Sequence, residues 1–170
     1  CSKVGNILEP KSYELFLENT ETIINLVGQV ESNLEHFTSS NLTGSLNLLN
    51  SAVKYNIKNI ILISTINVYG ENNNSPSKES DTLSPISNYG IIKMLNEKLY
   101  EHFSKVHGIN VTILRLSGVY GPGKIKGFFP QLINAINDKS IILKPYNYGN
   151  QLRDFIYIDD VIDGILKSIN

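Results

Sequence analysis

The strongest constraint on this chain is a change of hydrophobic period along it. Short Ile/Val-rich runs, "TIINLVG" (22 to 28), "NIILIS" (59 to 64) and "VTILRL" (111 to 116), show little polar alternation, as strands do when both faces of their sheet are covered. Between them Leu42, Leu46, Leu49 and Val53 fall at spacings of four, three and four, which do not fit a strand. Ile91, Leu95, Leu99 and Phe103 step by fours along one helix face. Strand, helix, strand, helix, strand is the order of a parallel sheet wrapped by right-handed crossover helices, so the predicted fold is α/β, a doubly wound parallel sheet.

Composition agrees with an ordinary globular domain and removes several functions. The 170 residues are 41% hydrophobic and 18% charged, enough for one domain with a proper core. A formal net charge of -1 and no Lys/Arg-rich block give no footprint for nucleic acid. The longest apolar runs, such as "IILI" at 60 to 63, fall far short of the ~20 residues a bilayer span needs, so no membrane association is expected. The single cysteine, Cys1, excludes an internal disulfide or thiolate cluster and fits a reducing cytoplasm. His36, His102 and His107 have no mutual metal-ligand spacing, and no metal site is expected. The chain opens mid-pattern at Cys1 in "CSKVGNI", as a fragment would.

Doubly wound sheets bind ligands at the carboxyl ends of their strands. Here those ends read "NLVGQ", "STINVYG" and "RLSGVYGPG", rich in Gly, Ser, Thr, Asn and Tyr. After Gly121 the texture changes: "GPGKIKGFFP" and "KPYNYGNQLRD" hold many turn formers and flank a helical segment near 130 to 138. Residues 1 to 120 are therefore read as the main domain and 121 to 170 as the start of a lid or small lobe, which ends in a strand-like run and a helix. Asp159 and Asp160 open that helix, where carboxylates suit unsatisfied amides. Tyr69, Tyr120, Tyr146 and Tyr148 stand near predicted loops and either line a pocket or pack.

In "SNYGIIKMLNEKLYEHF", Tyr89 stands four residues before Lys93, so both lie on one helix face about 5 to 6 Å apart. A phenol of pKa about 10 is a poor base at neutral pH. One positive charge at ~5 Å, with an effective dielectric near 20, favours phenolate by roughly 3 kcal/mol, or about two pK units. That brings the tyrosine toward a useful acid/base range. Thr65 or Ser64, at the end of the preceding predicted strand, could hydrogen-bond the same substrate oxygen. Three groups would then converge on one C–OH or C=O.

Taken with "NLVG", "NLTGSLNLL", "ILISTINVYG", "SNYGIIK", "ILRLSGVYGPG" and "QLRDFIYIDDV", the chain resembles an extended short-chain dehydrogenase/reductase of the NAD-dependent epimerase/dehydratase family over nearly all of its length. The resemblance implies a Rossmann-like domain and assigns residues by position. Tyr89 matches the catalytic acid/base tyrosine. Lys93 matches the lysine that lowers its pKa and holds the nicotinamide ribose. Thr65 matches the Ser/Thr that orients the substrate hydroxyl, with Ser64 beside it on the cofactor side. Asn6 and Ile7 resemble the Asp-hydrophobic pair beside the adenine, and Leu26, Val27 and Gly28 the strand end that passes along the cofactor. Arg153 matches an arginine that grips substrate phosphates, although pairing with Asp154 or Asp159 serves an arginine as well. Asn67 and Gly118 fall at substrate-facing positions, and Tyr120 to Pro122 at the turn that shapes the pocket. Asn41 is read as structural.

Departures refine this. The phosphate-binding G-x-x-G-x-x-G is not in the sequence, and roughly 50 residues are expected upstream, about two βα units. Ile66 and Asn67 stand where sugar 4,6-dehydratases carry Asp-Glu, and neither titrates usefully. Gly118 stands where many nucleotide-sugar epimerases have Asn. The expectation is a cytoplasmic, homodimeric NAD(P)-dependent epimerase or oxidoreductase of a nucleotide sugar, with NAD favoured over NADP. The alternatives are an NADPH-dependent reductase of a non-sugar carbonyl and a catalytically idle nucleotide-binding member.

Overall fold

The computed structural model describes residues 4–28, 34–71, 76–143, 150 and 152–169. Tyr146 and Tyr148 lie outside them. The chain forms two compact units, one of residues 1–115 with 168–170 and one of residues 116–167.

In the first unit, β1 (Thr22–Asn25) pairs in parallel with β2 (Asn59–Thr65), with Thr22 opposite Asn59 and Asn25 opposite Leu62. Strand β3 (Asn110–Leu116) completes a sheet of order β1-β2-β3. Strand β2 is central, and Ile60, Ile61 and Leu62 are at most 1% exposed, each burial stabilising the fold by about 1.5–3 kcal/mol. Strand β1 stops short of the predicted 28 because the Asn25 side chain replaces the ladder: its Oδ1 accepts from the Val27 amide at 2.9 Å, and its Nδ2 donates to the Tyr100 hydroxyl at 2.6 Å.

Two helical crossovers join the strands. The first is α1 (Leu34–Thr38), a π-helical turn over Ser39–Thr43, and α2 (Gly44–Lys54). The second is α3 (Asn88–His107). Ser87 caps α3 by accepting from the Gly90 amide at 3.1 Å, and Gly108 ends it at φ 70°, the left-handed conformation that costs glycine least.

Both long helices are rotated relative to their predicted apolar stripes. Helix α3 buries Ile92, Lys93, Asn96, Glu97, Tyr100 and Phe103, whereas Ile91 and Leu95 are 38% and 45% exposed. Helix α2 buries Ser45, Leu48, Leu49, Ser51 and Ala52, and leaves Leu46 41% exposed. The inward polar groups are tolerated where they find partners inside: Glu97 meets Arg115, and Tyr100 meets Asn25 and Ser45.

In the second unit β4 (Gly118–Tyr120) pairs in parallel with β5 (Phe155–Tyr157), and α5 (Ile158–Lys167) packs on both. Helix α4 (Phe128–Asn137) covers the segment predicted to be helical, and Asp159 and Asp160 lie in the first turn of α5 as expected. Tyr120 stacks on Phe129 at 4.5 Å between ring centres, and Phe155 meets Phe129 edge-on at 4.8 Å. Among the described residues no helix is long and apolar enough to cross a membrane.

Candidate active site

The carboxyl end of β2 runs into a short 3-10 turn, Ile66–Val68. Thr65 caps it from an extended conformation, its hydroxyl accepting from the Asn67 amide at 3.3 Å. Helix α3 starts directly against this turn, since a Cβ on Gly90 would lie 2.6 Å from the Asn67 carbonyl oxygen and 2.9 Å from Pro85 Cβ. Glycine after Tyr89 therefore sets the close approach that brings the start of α3, and with it the Tyr89 phenol, beside the Thr65 side chain. Phe37 stacks on the Tyr89 ring at 5.6 Å and 27°, and fixes its plane. Burial raises the Tyr89 pKa, and the neighbouring Thr65 hydroxyl opposes the rise.

Lys93 is 2% exposed and donates to the carbonyls of Val27 at 3.2 Å and Ile63 at 2.7 Å, joining the ends of β1 and β2. Burial lowers its pKa to about 8, and the Glu97 carboxylate works in the opposite direction. The sequence predicts a Tyr89 phenol lowered by Lys93. Here the phenol is raised instead, because its own desolvation dominates. Gly28 makes room for this lysine: at φ 150° it has no side chain, where a Cβ would stand 2.8 Å from Lys93 Nζ.

Of the two candidate hydroxyls, Thr65 meets Tyr89, whereas Ser64 faces inward and donates to Glu97. Glu97 is fully buried. Arg115 grips it through Nε, at 3.2 Å from each carboxylate oxygen, and through Nη2 at 2.8 Å. Arg115 Nη1 also donates to the Tyr69 hydroxyl at 2.9 Å and to the Glu79 carbonyl at 3.1 Å. This pair was not among the residues expected from the sequence. Its signal was an arginine inside the apolar strand "VTILRL" and a glutamate four residues after Lys93, because a charge in a covered strand needs a buried partner.

Asn6 closes its own turn, its Oδ1 accepting from the Leu8 amide at 3.0 Å and its Nδ2 donating to Glu9 at 3.1 Å. Ile7 packs on the start of α2, where a Cβ on Gly44 would touch it at 2.7 Å. Leu26 is 67% exposed just past β1, and Asn67 is exposed at the turn. In the second unit Gly118 sits against Phe155, whose ring would be 2.8 Å from a Cβ there, and its amide donates to the Asp154 carbonyl at 3.1 Å. Packing thus explains glycine at 118. Arg153 is exposed, directly before Asp154. Among the described residues no three His, Cys, Asp or Glu side chains gather as a metal site.

A parallel sheet with crossover helices, and with a threonine, a tyrosine and a buried lysine at its carboxyl ends, defines a Rossmann-like protein of the short-chain dehydrogenase/reductase type. The model of the NAD dependent epimerase/dehydratase family matches residues 3–170, and the chain belongs to that family. It is 34% identical over 160 residues to Protein CapI of Staphylococcus aureus, covering 89% of this chain and 47% of that protein. The UDP-glucose 4-epimerase of Thermotoga maritima, solved with UDP-glucose, matches with a TM-score of 0.85 and 29% identity, over 95% of this chain and 56% of that one. The UDP-glucuronic acid 4-epimerase of Bacillus cereus, solved with UDP-glucuronic acid and NAD, matches with a TM-score of 0.81 and 27% identity, over 92% of this chain and 52% of that one. The chain spans about half the length of these relatives. Relatives of comparable likeness include a UDP-glucuronate 4-epimerase and a dTDP-D-glucose 4,6-dehydratase, so membership leaves the reaction type within the family open.

Proposed function

We propose that the full-length protein is a cytoplasmic NAD-dependent epimerase of a nucleotide-activated sugar, with Tyr89 as its acid/base, Thr65 as the group that steadies the reacting oxygen, and Lys93 as the cation behind them. The observation that carries this reading is the placing of the Tyr89 phenol beside the Thr65 side chain at the end of β2, with Lys93 buried one helical turn further along α3. The relatives solved with UDP-glucose, and with UDP-glucuronic acid and NAD, support the substrate class and the cofactor.

The local chemistry fits a dinucleotide's ribose. A Cβ on Gly28 would meet Lys93 Nζ at 2.8 Å and Asn41 Oδ1 at 3.4 Å, and that buried oxygen has no hydrogen-bond partner among the described residues. Lys93, Asn41 and Gly28 would hold the ribose, with Leu26 and Val27 along the strand end and Asn6 and Ile7 on the adenine side. When bound, NAD supplies reversible hydride acceptance at the sugar carbon. Tyr89, its pKa raised by burial, is a phenol at rest; once it has lost that proton to solvent, the phenolate, which the positive field of Lys93 favours, would accept the proton of the sugar hydroxyl as that carbon is oxidised and return it to the oxygen as the carbon is reduced. Thr65 holds that oxygen between the two.

The first unit would carry the cofactor and the substrate-facing Asn67, and the second would begin the substrate lobe, with Arg153 for the substrate phosphates and Gly118 for the sugar. Ile66 and Asn67 offer no acid/base pair for water loss, which favours epimerisation over 4,6-dehydration. The exposed Leu46, Ile91 and Leu95 on α2 and α3 fit a homodimer built on these helices.

The test is incubation of the full-length protein with NAD and a pool of nucleotide sugars, followed by chromatography with mass detection. The expected result is conversion of one sugar without net change in NAD, reduced about 10²- to 10⁴-fold in Tyr89→Phe. Undiminished conversion by Tyr89→Phe would overturn the reading.

A further inference from the structure

The turn that presents Thr65 is held at both ends by one buried ion pair. On its amino side Ser64 donates to Glu97. On its other side the Tyr69 hydroxyl accepts from Arg115 Nη1 at 2.9 Å, and the Arg115 guanidinium lies over the Tyr69 ring at 5.1 Å. The pair itself is closed at 2.8 Å between Arg115 Nη2 and Glu97 Oε2. The same guanidinium donates to the Glu79 carbonyl at 3.1 Å, on the segment that leads into α3 and Tyr89. That segment is also tied to the turn, since the Ser84 amide donates to the Val68 carbonyl at 3.0 Å.

We propose that Glu97 and Arg115 form a positioning unit: they clamp residues 64 to 69 so that Thr65 meets Tyr89, and they keep a carboxylate one helical turn from Lys93. This rests on the acid/base reading given under the proposed function. Neither residue is a catalytic group, because neither reaches the reacting atoms; both act through Thr65, Tyr89 and Lys93.

Two physical points support the assignment. A paired charge deep in the fold is weak evidence for stability, because neutral residues of similar volume often pack as well or better. This pair moreover directs its remaining hydrogen bonds to Ser64 at the end of β2, to Tyr69 just past the turn and to the loop before α3. Around Lys93 stand Glu97 and, one turn earlier, Tyr89 on its own helix, the Val27 and Ile63 carbonyls from the ends of β1 and β2, and Arg115 from β3 behind Glu97. Removing the carboxylate takes away the charge that opposes the effect of burial on Lys93, which makes its ammonium easier to deprotonate.

The decisive variant is Glu97→Gln/Arg115→Met in the full-length protein, which removes both charges and leaves neither unpaired. The expected result is a folded protein with melting temperature near the parent's, kcat lowered by roughly 10²-fold, KM for the sugar little changed, and the alkaline limb of the pH–rate profile moved to lower pH. A folded double variant with parental kcat and pH profile would overturn the proposal and leave the pair a structural one. Should the double variant fail to fold, Tyr69→Phe decides. It deletes one clamp bond and keeps both charges, so kcat should fall several-fold with the alkaline limb unmoved, and parental kcat would overturn the clamp. Tyr89→Phe run alongside separates the two failures. If it retains turnover, the acid/base reading falls; if it is inactive while the clamp variants are normal, only the positioning proposal falls.

Discussion

Lys93 concentrates the residue-scale physics of this protein. Its ammonium is taken almost wholly out of water and held by two backbone carbonyls and a nearby carboxylate, and its pKa falls to about 8. The folded value lies below the unfolded one, so between about pH 8 and the unfolded pKa the unfolded chain binds more protons than the folded one. Stability therefore rises with pH across that window, and below it the folded state carries the whole cost of the buried charge. The gain expected over the window is on the order of 3 kcal/mol. Lys93→Met has no such titration, so the stability difference between parent and variant should change in the parent's favour as pH rises from about 8. Urea unfolding of both proteins through this range measures it, and a difference independent of pH would contradict a buried ammonium. Tyr89 and Lys93 were legible as a pair because i and i+4 share a helix face. The destination of the ammonium was not, because backbone carbonyls at the ends of two other strands carry no signature in side-chain order.

At the scale of elements, the approach of α3 to the turn after β2 decides whether the site exists. Gly90 permits it, since the Asn67 carbonyl oxygen occupies the place a side chain would need. Gly90→Ala is expected to push the helix start away from the turn, costing about 1–3 kcal/mol of stability as overpacking does. It should lower kcat more than that loss of folded protein explains. Thermal unfolding beside activity per folded molecule checks both, and a variant with parental kcat would show that the close approach is not needed. Strand and helix order was readable from period alone, and the start of α5 from its two aspartates. The orientation of α2 and α3 was not. The apolar stripe of α3 suggested Ile91 and Leu95 inward, yet Asn96, Glu97 and Tyr100 are fully buried. Glu97 and Tyr100 enter the core with partners from distant elements, Arg115 and Asn25, that satisfy them.

For the molecule as a whole, the exposed leucines and isoleucine on α2 and α3 bear on assembly. If the proposed homodimer uses these helices, Leu46→Glu/Leu95→Glu in the full-length protein should shift sedimentation from dimer to monomer while the monomer stays folded. An unchanged sedimentation coefficient would place any dimer contact elsewhere. Sequence by itself determined the α/β class, the parallel order of strands and helices, the family, and the candidate trio Thr65, Tyr89 and Lys93, because hydrophobic period and local motifs are properties of neighbours along the chain. Tertiary structure decided that Thr65 and not Ser64 stands beside Tyr89, that burial raises the Tyr89 phenol, and that Glu97 and Arg115 lie behind the site. Those outcomes depend on desolvation and on contacts between residues far apart in sequence, and both come into being only when the chain is folded.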